Sequence, residues 1–343
     1  MMNFLKENKF LVFSPFRIIL FCGLCGVLVF VGVMGQSLWW FYFGEGNTYV
    51  YRKGNLAVHF VDVGHGDCTV VQLPDGKVAV IDGGHEYYYP RVKRYIRERI
   101  KPKNNRIDYV INTHPHDDHL AGLLLLMEDF RVGKFFDHEN ITEGMVIGNN
   151  SYRIQFHAAK IREVDNIDDQ YVNEYSPIIT IEYASQVFII TGDAGHETER
   201  VFIESAAAQE IFDANRVDEL TVYLQVGHHG SRSSTGIPFL NFVNPDVAII
   251  SLGFLYNHPH AEVIRNIKDR DAQILMTRDA GNIVFRCDGD RIKVFFSFDN
   301  PADLVYVWIV IFFALLFLCF NNYIVKFYRL WSRKSVDTIY CIV

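Results

Sequence analysis

Residues 114–119 read His-Pro-His-Asp-Asp-His, where three imidazoles and the Asp118 carboxylate are able to turn onto one point. Histidines two positions apart on an extended or turning segment share a side, so His114 and His116 can offer nitrogens together. Asp118 and His119, at the start of a following helix, can serve a second point a few ångströms away. Imidazole nitrogen with carboxylate oxygen and no thiolate suits zinc, manganese or iron. Further candidate ligands follow in order: Asp193 after Gly192, the pair His228 and His229, and His258 before Pro259. Alone, Asp193 reads as a turn residue, the paired histidines as a polar loop, and His258 as part of an extended turn. Together in one chain, each just past a strand-like run, they point to a metal centre on loops held by a rigid sheet.

The positioning elements are legible as hydrophobic runs broken by turns. Leu56–Val63, Cys68–Leu73 and Lys77–Ile81 are separated by Gly- and Asp-rich turns and predict a meandering antiparallel sheet. Arg91–Lys101 reads as a helix. Ile107–Thr113 reads as a strand delivering the histidine cluster, and Leu120–Leu126 as a buried helix behind it. Ile178–Tyr183 and Val187–Thr191 predict a hairpin ending at Asp193, followed by a helix over Glu197–Ala208. Leu220–Val226 and Asp246–Leu252 are strands leading to His228/His229 and towards His258. Segment 131–172 carries mixed charge and few patterns. His138 and His157 in it are read as structural, and the segment as a candidate substrate-selecting insertion.

Two apolar runs bracket this region. Ile18–Gly35 carries no charge and is followed by the aromatic stretch Leu38–Phe43; Leu304–Phe320 is likewise uncharged. Both are read as transmembrane helices, the first as an uncleaved anchor, since no small-residue cleavage site follows it. Lys6, Lys9 and Arg17 precede the first run, and Lys326, Arg329, Arg333 and Lys334 follow the second. The positive-inside rule puts both termini in the cytoplasm and the intervening domain in the periplasm or outside. The expected organisation is a tail and span over 1–44, one soluble domain over 45–302, and a span with a basic tail over 303–343.

The chain's formal net charge is −7, and residues 45–302 alone carry −11. Such a domain is a poor electrostatic partner for long nucleic acid. Its basic stretch, Arg91–Arg106, reads as a solvated helix face more readily than as a phosphate cradle. Only Cys68 and Cys287 belong to the soluble domain, which excludes a disulfide framework or a zinc finger and leaves a single bridge open.

The motifs Asp62-Val-Gly-His-Gly-Asp67, Ile81-Asp-Gly-Gly84, Thr113–His119, Asn173-Glu-Tyr-Ser176, Thr191-Gly-Asp193, Val226-Gly-His-His-Gly-Ser231 and Asn257-His-Pro259 run in this order. On them the chain resembles the metallo-β-lactamase superfamily. It is most similar to the branch holding the hydrolase domain of ComEC-type competence proteins and the teichoic-acid phosphorylcholine esterases. The resemblance covers Asn55–Phe298, without the multi-span channel of competence proteins. ComEC-like domains usually carry Gln where His65 stands, and often Asp where His116 stands. His65 is read as a turn residue, and His116 as making the metal site fuller.

The resemblance implies an α/β fold, an αββα sandwich, here flanked by two transmembrane helices, with two divalent metal ions in a cleft at one edge. Zinc is the first expectation and manganese the second. His114, His116 and one of the paired histidines, with His228 favoured, would hold one ion; Asp118, His119 and His258 would hold the other; Asp193 would bridge. Asp118 would also orient the hydroxide. Asp62, Asp67 and Asp82 are read as supporting or turn groups. Ser231 and Arg232, with Ser233 and Ser234, form a polar loop that reads equally as a phosphate-binding loop or as a plain solvated one. The function expected is a membrane-anchored, metal-dependent phosphodiesterase acting on nucleic acid or an envelope polymer, with a membrane-protein partner possible through the spans. The alternatives are a lactonase, thioesterase or β-lactam hydrolase, since fold does not fix the bond broken, or a non-catalytic metal-binding subunit.

Overall fold

The computed structural model describes residues 51–159, 172–213, 219–253, 257–289 and 291–297. Tyr49–Asp299 forms one compact unit. Among the described residues no helix is long and apolar enough to cross a membrane. The two apolar runs read as spans lie outside the described residues.

Two seven-stranded sheets make up the centre. The first begins with the expected meander, β1 (Leu56–Phe60), β2 (Thr69–Gln72) and β3 (Val78–Ile81), paired antiparallel. A crossover through α1 (Tyr89–Tyr95) and a wide turn at Ile96–Ile100 leads to β4 (Arg106–Ile111), parallel to β3. Helix α2 (Asp117–Asp129) then leads to β5 (Arg131–Phe136), parallel to β4. The second sheet starts with β6 (Val146–Asn149) and β7 (Tyr152–His157) and continues into the hairpin β8 (Ile178–Tyr183) and β9 (Gln186–Ile190). Helices α3 (His196–Glu204) and α4 (Ala206–Ile211) follow. The helix expected over Glu197–Ala208 is thus two, because the Ser205 hydroxyl accepts the Ala208 amide and starts a new helix. Strands β10 (Thr221–Gln225), β11 (Val247–Ile250) and β12 (Gln273–Met276) add in parallel, with α5 (Ile237–Val243) and α6 (Ala261–Lys268) between them. After the short α7 (Thr277–Ala280), β13 (Asn282–Cys287) and β14 (Ile292–Ser297) return to the first sheet, where β13 pairs with β1.

The sequence explains the layering. All five residues of β1 are buried because both faces of its sheet are covered. Phe60, Phe285, Phe156, Phe188 and Tyr223 fill the space between the sheets. Val70, Val80, Val92, Leu123 and Leu126 pack α1 and α2 on the outer face of the first sheet. Phe202, Phe239, Leu240, Val263 and Leu224 do the same for α3, α5 and α6 on the second. The result is a mixed α/β, two-sheet sandwich with helices on both outer faces, the αββα arrangement that the resemblance implies.

Three strands, β5 to β7, occupy the segment 131–172 that carried little pattern. β5 has no buried residue, with Arg131 and Lys134 exposed and the rest half-buried, and β6 has four residues with one buried, so neither shows a clean alternation. The basic stretch after Arg91 is paired locally: Arg91 with Asp62 (3.1 Å), Lys93 with Asp129 (2.6 Å) and Arg106 with Asp108 (3.0 Å). Cys68 and Cys287 are separate buried thiols.

One backbone contact fixes the helix that carries the metal motif. The Gly83 amide donates to the His119 carbonyl (2.8 Å), and the Gly122 amide to the Gly84 carbonyl (2.8 Å). A Cβ on Gly122 would collide with the Gly83 carbonyl oxygen. Substituting Gly122→Ala is expected to lower stability by about 1–3 kcal/mol, the usual cost of overpacking. A urea midpoint unchanged from wild type would show that this contact has slack.

Candidate metal centre

The sequence candidates converge at one edge of the sandwich, past the ends of β3, β4, β9 and β10. Asp82 ends β3 in the left-handed region (φ 55°), which turns its carboxylate back towards the end of β4. Its Oδ1 accepts from the Thr113 amide (2.9 Å) and Asn112 Nδ2 (3.3 Å), and its Oδ2 from the Thr113 hydroxyl (2.7 Å). Having spent its proton on Asp82, the Thr113 oxygen must accept from His114 Nδ1, 3.1 Å away. His114 therefore keeps a bare Nε2. The same logic fixes two more rings. His119 Nδ1 donates to Asp82 Oδ2 (2.9 Å), and His229 Nδ1 donates to the Ser251 carbonyl (2.9 Å). Each leaves an Nε2 lone pair facing inward, the tautomer that metal-ligating histidines adopt.

Those lone pairs face Asp193, which is 2% exposed. Asp193 Oδ2 stands 3.7 Å from His114 Nε2 and 3.7 Å from His228 Nε2. Asp193 Oδ1 stands 3.3 Å from His119 Nε2 and 3.7 Å from His229 Nε2. His116 joins the first group, its Nδ1 3.0 Å from His114 Nε2. Asp118 joins the second, its Oδ2 3.3 Å from His229 Nε2 and 3.9 Å from His119 Nε2. His119 Nε2, His229 Nε2 and Asp193 Oδ1 are buried and have no hydrogen-bond partner. Ligands about 2.1 Å from a tetrahedral ion lie roughly 3.4 Å from one another. Two His/Asp clusters sharing Asp193 therefore fit divalent cations, in donor type and in spacing.

Electrostatics agree. Burial would push the Asp193 carboxyl up, but His119 and His229 hold it well below the usual range. Burial would depress His119, yet Asp193 and Asp82 outweigh it and raise its pKa well above normal. His229 is raised to about 9 against its burial, by Asp193, Asp118 and Asp67. Both shifts record a field that attracts positive charge to the same spot. Burial pushes Asp67 up to about 6; it lies beside the Nδ1 edges of His119 (4.0 Å) and His229 (3.8 Å), outside the ring of facing lone pairs.

The paired histidines divide the work. His228 and His229 both occupy the left-handed region (φ 48° and 54°), a strained conformation for two successive non-glycine residues. The His228 side chain is 28% exposed and faces Asp193 Oδ2, whereas that of His229 is 1% exposed and faces Asp193 Oδ1 and Asp118. His258 belongs to neither cluster among the described residues; its ring lies 5.8 Å from that of His228 and 4.9 Å from that of His260. Asn173, singled out only as part of a motif, contacts His228 Nδ1 through its Nδ2 (3.2 Å). The Ser233 hydroxyl is also 3.1 Å from His228 Nδ1 and 3.0 Å from the Ser231 hydroxyl. Arg232 is exposed; its backbone is clasped by His260 and His196, and its side chain lines a cavity with His196, Arg200 and Glu262. His65 lies beside Asp118, its Nε2 3.5 Å from Oδ2.

Asp82 touches no open position of the centre, yet it orients two of its histidines. Replacing Asp82→Asn is expected to weaken cation binding by about 10- to 100-fold, the usual effect of removing a group that supports a ligand. Chelator competition would measure it, and unchanged affinity would remove Asp82 from this role.

Residues 61–175 match the family model described as the metallo-beta-lactamase superfamily. ComE operon protein 3 of Bacillus subtilis is 26% identical over 263 residues, covering 67% of this chain and 33% of that protein. Recombination protein 2 of Haemophilus influenzae is 25% identical over 258 residues, covering 71% of this chain and 30% of that protein. The chain thus spans about a third of the length of the curated relatives it matches. Among solved structures, the metallo-beta-lactamase fold protein YhfI of Bacillus subtilis aligns with a TM-score of 0.44 at 11% identity, covering 68% of this chain and 99% of that one. The His-x-His-x-Asp-His segment thus lies in a stretch of metallo-β-lactamase type, in a chain whose curated relatives are competence proteins of the ComEC type.

Proposed function

We propose that this chain is a membrane-anchored hydrolase that uses two divalent cations, zinc first and manganese second, to cleave phosphodiester bonds outside the cytoplasm. The observation that carries this reading is the division of Asp193, whose two oxygens face separate histidine clusters. Bound at those clusters, a pair of cations supplies Lewis acidity, lowers the pKa of a water and stabilises the attacking and leaving oxygens. The remaining work falls to side chains. Burial pushes the Asp118 carboxyl up, but the nearby His229 and His119 outweigh it and hold it well below the usual carboxylate range. An ionised, partly exposed carboxylate at the second cluster can accept a hydrogen bond from a water and orient it. Ser233, backed by Ser231, offers a hydroxyl beside His228 for a phosphate oxygen, whereas Arg232 on the same loop lines the neighbouring cavity.

The −11 charge of residues 45–302 favours a single strand or small diester over long duplex DNA, because duplex binding needs many basic contacts. Relatives named for competence and recombination support a nucleic-acid strand ahead of an envelope polymer. The uncharged runs 18–35 and 304–320, with their basic outer flanks, support two spans that could also recruit a membrane-protein partner.

With zinc or manganese, the chain is expected to hydrolyse bis(p-nitrophenyl) phosphate and short single strands. Asp118→Ala should lower turnover by at least about a hundredfold. Turnover of a lactone, thioester or β-lactam in place of the diester would shift the reading to those hydrolases. No turnover at all, with cellular function intact in Asp193→Ala, would make the chain a non-catalytic subunit. A reporter fused after Val343 should read out from the cytoplasm; an external signal would overturn the orientation.

A further inference from the structure

The turn between β1 and β2 is pressed against the metal motif. Gly64 (φ 69°) lies under the Tyr88 ring, and a Cβ there would overlap it. Gly66 (φ 116°) lies on the Asp118 carbonyl, where a Cβ would collide with the oxygen. The Asp67 amide donates to that same carbonyl (3.2 Å), and Gly253 closes on the backbone amide of His65. Of the three residues Gly64-His65-Gly66, His65 alone carries a side chain, and that side chain is 15% exposed. Its ring centroid is 4.4 Å from that of His229. One donor atom each from His65, Asp118 and His229 lie within 4.8 Å of one another.

We propose that His65 is a further ligand of the cation held by Asp118, His119, Asp193 and His229, an inference that rests on the two-cation reading above. The spacing supports it. His65 Nε2 and His229 Nε2 stand 3.5 and 3.3 Å from the same oxygen of Asp118, close to the separation of neighbouring ligands around one ion. At 3.5 Å the His65–Asp118 approach is long for a hydrogen bond. His229 Nε2, buried and without a hydrogen-bond partner, is aimed into the same space. A turn residue with no further role would need neither the ring nor the close packing of both neighbouring glycines. The glutamine usual here in ComEC-like domains lacks an imidazole nitrogen, so this chain should hold that ion more tightly than such domains do. Three nitrogens and two carboxylates also favour a transition-metal cation over magnesium or calcium.

The test is a cobalt(II) titration of the whole chain, reading the visible absorption of the bound ion and its release to a chelator. Wild type should take up two ions. His65→Ala should release one of them at least about tenfold more readily, with a changed absorption spectrum, and added imidazole should restore both. Identical affinity and spectrum in wild type and His65→Ala would overturn the role of His65 while leaving the two-cation reading intact. A wild-type chain that takes up no cobalt would overturn both. Should His65→Ala fail to fold, wild-type protein with nitrogen-15 histidine and cadmium-113 decides. A one-bond cadmium–nitrogen coupling at His65 supports the assignment, whereas couplings at His119 and His229 without one at His65 reject it.

Discussion

Asp193 is a carboxylate removed from water and faced by imidazole nitrogens that carry lone pairs where protons might have been. Transferring an ionised carboxylate into a protein interior costs several kcal/mol unless positive charge accompanies it. Among the described residues, no Lys or Arg is paired with Asp193. The Thr113 oxygen, the Asp82 carboxylate and the Ser251 carbonyl instead engage the Nδ1 atoms of His114, His119 and His229, leaving each Nε2 to point inward. The site calls for positive charge, and its donor set fits a divalent cation. The raised pKa values of His119 and His229 express the same demand in protons.

The sandwich meets this demand through its strand ends. Strands β3 and β4 are parallel neighbours, so Asp82 and Thr113 leave the sheet side by side. β9 and β10 are likewise parallel, bringing Asp193 and the paired histidines together; the His228 amide donates to the Gly192 carbonyl at 3.0 Å. Gly83 and Gly122 remove the last steric barrier between the first sheet and α2. Strain gathers at the centre itself, with Asp82, His228 and His229 all at positive φ.

Much of this was legible in the sequence, and the illegible parts have physical causes. The His-x-His-x-Asp-His run was readable because strand and helix periodicities flank it, and the hairpin ending at Asp193 because it is local. The antiparallel meander showed its turns. The pairing of β13 with β1 spans most of the domain, and no local pattern encodes such a contact. β6 is too short, and β5 has no buried residue, so neither shows a period. Alternation could not say which of His228 and His229 turns inward, since the chain leaves extended geometry at both. His65 looked like turn material because its neighbours are glycines; the close contact that demands Gly66, against the Asp118 carbonyl, is visible only in three dimensions.

The division of Asp193 between two clusters has a thermodynamic consequence. A carboxylate has one charge to share, and an ion at either cluster polarises it and draws it in its own direction. Occupancy at one position therefore alters affinity at the other, and reciprocity requires the effect to be equal both ways. On the two-cation reading, the two positions would not fill as independent events. Whether the first arrival hinders the second through lost charge, or helps it by fixing the carboxylate in place, that single side chain is where the coupling resides.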